Sequence, residues 1–472
     1  MLFNSFPFVV FFAVVMVIYY LPLLKNHQAS FLVLASLYFY AVSSPKATII
    51  LLLSITINSV ISFLVLDKSR ALALKYATFG VILNLGMLMF FKYVKLLTSS
   101  FVPDQFIGNS FFQFLLYVPL PIGISFYTFE GISLLVDTLK RRKSEEKIGQ
   151  ISFANHVRNT SLFVSFFPHL IAGPILKANQ FIPQVGTKYF GNINWEKSVK
   201  YLIIGYFFKM VIADNLKDQT TLLSFPFDTS HPISLLIALF GYSFQIFADF
   251  AGYSLIALGL ANLLGYELIK NFNYPYISTS FSEFWTRWHI SLSGWLKEYL
   301  YIPLGGNRRG KFRTYLNLML VMILGGLWHG ATWNFAFWGF VHGVALVIER
   351  LSSNFFKPIK SIWHQTYKMI VVFTVVTFAW LFFKLTTFEE ISAFYHALAN
   401  SEWGNYSFGD KEFYILIYCL PLFCYYAFHL LSNRFDAFKI FKSRASWVIY
   451  GVMLFLICVN AGFSGSFIYF RF

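Results

Sequence analysis

The chain has 472 residues, of which 57% are hydrophobic, 21% aromatic and only 12% charged, with a mean hydropathy of +0.61. Soluble domains carry about 25% charged residues, so this composition excludes a soluble globule and reads as a membrane protein with several spans. The formal charge of +16 does not point to nucleic acid, because the basic residues lie mostly in short loops between apolar runs, where the positive-inside bias and anionic headgroups account for them.

A run of about 20 apolar residues crosses the hydrocarbon core. In chain order the candidate spans are Phe6–Leu24, Phe31–Val42, Ala47–Leu66, Tyr76–Tyr93, Phe111–Val136, Tyr201–Ile212 and Ile233–Leu264. They continue with Tyr315–Trp328, Trp333–Ile348, Met369–Leu385, Phe413–Leu431 and Trp447–Phe463. Some are short, and some are long enough for two passes or a broken helix, so the expectation is about 11 spans. The first lacks a basic stretch before it and a small-residue cleavage site after it, and reads as a retained membrane helix. The basic loops Lys68–Lys75, Lys140–Lys147, Asn307–Arg313 and Arg434–Arg444 are assigned to the cytoplasmic side.

Three segments do not read as plain lipid-facing helix. Pro119–Glu130 holds two prolines, a glycine and a carboxylate inside an apolar run. Phe166–Pro174 is too short and too broken to span. Tyr242–Tyr253 carries Gln245 and Asp249 in mid-span. Broken backbone at membrane depth is tolerated where protein covers it or a wet cavity meets it. These segments are therefore expected to face one another, and the central stretch, around an interior cavity.

That central stretch runs from Ser280 to Val344. Ser280 and Glu283 fit a capping box. The helix that follows is expected to carry Trp285, Trp288, Leu292, Trp295 and Tyr299 on one stripe, with His289 on or beside it. Pro303 and the pair Gly305–Gly306 end it. His329 closes the next apolar segment, just after Gly325–Gly326. An ionisable side chain in such surroundings is a functional-site candidate.

A neutral imidazole in a low-dielectric site can act as a base near neutral pH, which suits deprotonation of a hydroxyl attacking a thioester. For His329 the other reading is a histidine that packs between helices and bonds a backbone carbonyl. His289 reads either as a second site member or as a histidine of an interfacial helix. Asp249 either orients a histidine, partners an arginine such as Arg287, or forms a structural pair inside the membrane. His342 reads as a packing residue, and His169 as lining an entrance or packing a loop. Arg308, Arg309, Lys311 and Arg313 read equally as positive-inside residues or as a site for cofactor phosphates. Cys419, Cys424 and Cys458 lie in apolar segments without pairing or metal spacing, and no metal site is expected. Gly462–Ser466 misses a nucleophile elbow at its last position, where serine stands for glycine.

The blocks Phe284–Leu296, Tyr299–Arg308 and Gly325–Ala331 resemble the signature blocks of the membrane-bound O-acyltransferase superfamily. They are most similar to its bacterial branch, which includes the alginate O-acetylation membrane subunit and the D-alanyl transfer protein of teichoic acid. Pro121–Phe129, Phe167–Pro174, Phe247–Ser254 and the ending Phe467–Phe472 add to the likeness, which runs from about residue 110 onward. The resemblance implies an all-α polytopic fold, with about 11 spans plus re-entrant or interfacial helices in a ring around a central tunnel. One transmembrane domain is expected over 1–472, with N-terminal helices at 1–110, a catalytic core at 111–350 and C-terminal helices at 351–472.

The resemblance also places His329 on the catalytic histidine and His289 on the second signature position. The expected tunnel lining is Asp249, Gln245, Trp285, Trp288, Trp328 and Asn334. The implied donor is cytoplasmic acetyl-CoA, with no permanently bound cofactor. The implied reaction passes the acetyl group across a bacterial inner membrane for O-acetylation of alginate or a similar polysaccharide. A separate lipase-like (SGNH-type) acetyltransferase is the implied partner outside, besides the lipid bilayer. A lipid or protein acceptor, or a polysaccharide transporter, is the alternative.

Overall fold

The structure, a computed structural model, describes residues 1–143, 152–171, 173–227, 230–352, 361–400 and 403–462, with the side chains of 142, 143 and 436–445 outside that description. The far half of the basic loop Lys140–Lys147, Ala172, the Gly462–Ser466 pattern beyond Gly462 and the ending Phe467–Phe472 lie outside the described residues, as do most side chains of Arg434–Arg444.

Among the described residues every regular element is a helix. Six helices are long and apolar enough to cross a membrane: Pro45–Asp67, Arg70–Phe101, Pro232–Leu263, Trp333–Ser352, Ile362–Lys384 and Asp410–Arg434. Shorter apolar helices are Phe6–Tyr19, Gln28–Ser43 and Ser446–Val459. The chain is thus a multi-pass membrane protein. It divides into two compact units, one of Met1–Ser198 with Ala257–Ile269 and one of Val199–Ile256 with Lys270–Phe472.

In the first unit, two buried amides are matched to each other, as lipid favours. The amide of Asn58 donates to Asn84 at 3.2 Å, and that of Asn84 donates back at 2.9 Å. Gly131 makes room for this pair, since a Cβ there would sit 2.6 Å from the Asn58 amide nitrogen. The apolar run Phe111–Val136 is broken, as expected. A helix over Ser110–Leu116 gives way to irregular chain, and a new helix starts at Ile124. The break passes through Gly123 at φ +78, where a Cβ would lie 2.8 Å from the Leu170 carbonyl oxygen. Two of the three unusual segments therefore meet. Their contact carries a buried pair, His169 Nδ1 to Glu130 at 3.0 Å, with both side chains fully covered. His169 accordingly lies in the interior of this unit rather than at an entrance.

The third unusual segment differs from expectation. Tyr242–Tyr253 sits within a single unbroken helix, Pro232–Leu263, of 32 residues. At 1.5 Å per residue that helix is about 48 Å long. Its backbone stays regular because Gln245 and Asp249 are met by side chains of neighbouring elements. In its most apolar window 78% of the residues are buried inside the protein, which marks it as an interior helix rather than a lipid-facing one. The expected span Tyr201–Ile212 belongs to a helical run from Trp195 to Gln219 with a π-turn at Phe207–Ala213. Gly205 and Gly252 let this run approach the long helix closely, because a Cβ on Gly252 would lie 2.8 Å from both the Gly205 carbonyl oxygen and the Lys209 amide nitrogen.

Candidate active site

The stretch from Ser280 to Pro303 is not one helix. It forms Phe281–Arg287, breaks at Trp288 and His289, resumes as Ile290–Leu296 and passes into a π-turn at Lys297–Tyr301. The apolar stripe from Trp285 to Tyr299 is therefore split, and its halves face different neighbours. Helices of seven residues are too short to span a bilayer.

The first of them is capped by its own sequence. Ser280 Oγ accepts from the Glu283 amide at 3.0 Å. The Glu283 carboxylate does reach back, but to the amide of Thr279 at 2.8 Å, one residue before the cap. Glu349 also accepts from the free amides of Phe281 and Ser282. Two carboxylates at a helix N-terminus suit its partial positive charge.

His289 sits at the elbow with φ +43, in the left-handed region that residues with a Cβ rarely enter. Such a conformation costs on the order of 1–3 kcal/mol and persists only where the surroundings impose it. Asn271 imposes it here. Its carbonyl accepts from the Ile290 amide at 2.9 Å. Its side-chain oxygen accepts from the Ser291 hydroxyl at 2.6 Å and the Ser291 amide at 3.3 Å. Its amide in turn donates to Ser254 at 3.1 Å, which ties the elbow to the long helix. The imidazole is fully buried, with the Phe250 ring centre 4.6 Å from its own in an edge-to-face contact and Ser291 Oγ 3.4 Å from Nδ1. Burial this complete disfavours the charged form of the ring.

His329 is the last residue of the helix Lys311–His329. That helix lies hard against Trp333–Ser352, at a spacing only glycine permits. A Cβ on Gly326 would stand 2.1 Å from the Phe335 carbonyl oxygen, and one on Gly339 2.2 Å from that of Met322. Packing this close fixes the position of the helix end that carries His329. Its imidazole is boxed by Trp328, Trp338 and Phe383, with ring centres 5.1, 5.2 and 5.3 Å away. His289 lies 6.1 Å from it, ring centre to ring centre. Beside His329 is a cavity of about 110 Å3 whose wall includes Trp285, Leu292, Met322 and Trp338.

The structure thus brings His329, His289, Trp328 and Trp285 into one neighbourhood. Other expected lining residues have different employment. Trp288 is packed against Trp380 at 4.9 Å and Phe272 at 5.0 Å, in the aromatic core. The Asn334 amide donates to the Leu385 carbonyl at 3.0 Å. Gln245 accepts from Thr220 at 2.6 Å. Asp249 pairs with Lys209 at 2.8 Å, and Lys209 also meets Asp214 at 2.7 Å. The alternative pairing of Asp249 with Arg287 does not form, because Arg287 is held by Glu283 at 2.8 Å, one helical turn away. Arg308, Arg309, Lys311 and Arg313 are exposed. They cluster at the opposite end of the Lys311–His329 helix, about 27 Å of helical rise from His329.

Three residues went unnoticed in sequence. Lys209 is a cation within an apolar run, a visible signal of intramembrane pairing. Asn271 and Trp338 carry no local signal. His342 is buried between Trp338 at 4.6 Å and Trp285 at 5.1 Å, in keeping with its packing role. Two buried imidazoles among aromatic rings suit proton transfer to and from an uncharged reactant.

Comparison with known proteins bears on the family. The model of the MBOAT, membrane-bound O-acyltransferase family matches residues 46–392, so the likeness begins well before the signature blocks. The chain is 37% identical over 382 residues to a peptidoglycan O-acetyltransferase of Helicobacter pylori, covering 76% of this chain and 71% of that protein. It is 36% identical over 348 residues to a probable alginate O-acetylase, AlgI, of Azotobacter vinelandii, covering 72% of this chain and 64% of that one, just under two thirds of its length. A teichoic acid D-alanyltransferase of Streptococcus thermophilus is 32% identical over 253 residues, covering 48% of this chain and 56% of that protein. A multi-pass helical chain with His289 and His329 buried near each other on its matched segment, and a family match over most of its length, belongs to the membrane-bound O-acyltransferase family.

Proposed function

We propose that this membrane O-acyltransferase takes an acetyl group from acetyl-CoA on the cytoplasmic side and delivers it for O-acetylation of an extracytoplasmic polysaccharide such as alginate or peptidoglycan. The observation that carries the reading is the placement of His329 and His289 with ring centres 6.1 Å apart, where a small, partly open cavity meets His329. In this reading His329 removes the proton from the attacking hydroxyl, and His289 orients or polarises a reactant. The relatives named for peptidoglycan and alginate acetylation support a polysaccharide as the final acceptor.

The exposed cations Arg308, Arg309, Lys311 and Arg313 hold the phosphates of the donor at the cytoplasmic mouth, and the donor's long arm carries the thioester inward. The membrane is the cytoplasmic membrane of a bacterium. A lipase-like acetyltransferase outside receives the acetyl group and places it on the polymer.

The test uses the full chain in membrane vesicles with labelled acetyl-CoA, polymer acceptor and the co-expressed acetyltransferase. His329→Ala should reduce label transfer to background while its membrane level matches wild type. Wild-type transfer by that variant refutes the role of His329. Vesicles of the wild-type system that move no label refute acetyl-CoA as the donor.

A further inference from the structure

Two indole N–H groups beside His329 lack an acceptor. Trp338 is 1% exposed, and its Nε1 has no hydrogen-bond partner among the described residues. The buried Nε1 of Trp285 has none either. Both side chains line the cavity that His329 lines. Their rings lie 5.7 Å apart, and that of Trp338 is 5.2 Å from the His329 imidazole. Behind them, His342 is equally buried, and both of its ring nitrogens are unpartnered. A buried tryptophan usually finds an acceptor for its N–H, and an unmatched buried polar group calls for an explanation. Here the two tryptophans that carry unmatched donors are both lining residues of one cavity, which His329 also lines.

We propose that the Trp338 and Trp285 indole N–H groups are the hydrogen-bond donors to the carbonyl oxygen of the acyl group transferred at His329. The assignment rests on the acyl-transfer reading above and deepens it. In the step, the acceptor hydroxyl oxygen bonds to the thioester carbonyl carbon while its proton passes to a ring nitrogen of His329. The carbonyl π pair moves onto oxygen, and the resulting oxyanion accepts from the indoles. The pair then returns, the carbon–sulfur bond breaks, and the leaving thiolate takes the proton back from the imidazolium. One thioester and one alcohol become one ester and one thiol. The interaction strengthens as charge develops on oxygen, so it acts on the transition state more than on bound donor. Neutral donors also suit a site within a membrane, since they bring no charge that needs a counter-ion.

The experiment replaces Trp338, Trp285 or both by 3-benzothienylalanine in the full chain. This residue keeps the bicyclic shape and puts sulfur in place of N–H. Loss of one donor should lower kcat for acetyl transfer about 100-fold, with KM for acetyl-CoA within about twofold of wild type, because only transition-state binding is lost. A second measurement needs no variant. S-acetonyl-CoA, a ketone analogue that cannot transfer its acyl group, carries a 13C=O whose infrared stretch should move to lower frequency on binding wild-type protein. Benzothienyl variants that keep wild-type kcat, or a carbonyl stretch unmoved by binding, overturn the assignment while leaving acyl transfer standing. Wild-type protein that transfers no acetyl group overturns both.

Discussion

The close contact of Lys311–His329 with Trp333–Ser352 makes Gly326→Ala a sharp perturbation, with Gly325→Ala as its control. A Cβ at 326 would lie 2.1 Å from the Phe335 carbonyl oxygen, whereas real Cβ contacts essentially never fall below 3.0 Å. The neighbour is backbone within a helix, so the two helices must part by about 1 Å rather than rotate a side chain. Overpacking of this kind costs about 1–3 kcal/mol. At 325 the nearest atom is Leu296 Cδ1 at 3.1 Å, the tip of a flexible side chain. There the intrinsic helix preference for Ala over Gly, about 1 kcal/mol, offsets a small adjustment. His329 is three residues beyond Gly326, so a displacement of 1 Å reaches its ring almost undiminished. A misplacement of that size costs a rate of about 100-fold. Initial rates of acetyl transfer, normalised to protein in the same vesicles, and melting of the detergent-purified protein followed by size exclusion measure both effects. Gly326→Ala should lose about 100-fold in rate and melt earlier, and Gly325→Ala should stay within about threefold of wild type. The reasoning fails if Gly326→Ala matches wild type in rate and melting, or if the two variants are equally impaired.

Asn271→Ala removes the side-chain clamp on the elbow and leaves Ser291 and Ser254 without their partner. A loss of about 1–3 kcal/mol in stability is expected, with a lower kcat as His289 leaves its left-handed turn; unchanged melting and rate would show that the elbow holds itself. Lys209→Met strips the counter-charge from Asp214 and Asp249 and should destabilise by about 3–5 kcal/mol. Adding Asp214→Leu and Asp249→Leu should recover most of that melting loss, and failure to recover would mean that the ions do more than neutralise one another. Neutralising Arg308, Arg309, Lys311 and Arg313 to Gln together should raise KM for acetyl-CoA about tenfold at low salt, with the difference shrinking at high salt. An unaltered KM would leave those residues as orientation signals alone.

The membrane class followed from composition, since a chain so poor in charge and rich in apolar runs has no way to stay in water. The N-terminal cap at Ser280 and the breaks at Pro119–Gly123 were legible because proline, glycine and serine act through their own backbone neighbours. His329 stood out because an ionisable group at the end of an apolar segment is costly wherever it lies. The elbow at His289 was hidden. Apolar spacing runs through Trp288 without interruption, and the force that bends the chain comes from Asn271, a residue 18 positions away. The same holds for charge partners. Asp249 had Arg287 as a plausible mate in sequence, but packing of the 195–219 helical run against the long interior helix put Lys209 within 2.8 Å instead. Trp338 read as one more apolar residue of a span, and its indole N–H gained meaning only where folding set it, unmatched, beside His329. Local backbone chemistry and the cost of exposing polar groups to lipid are written residue by residue. Which buried groups face each other depends on how helices distant in sequence pack, and so the site's geometry was decided by the tertiary structure.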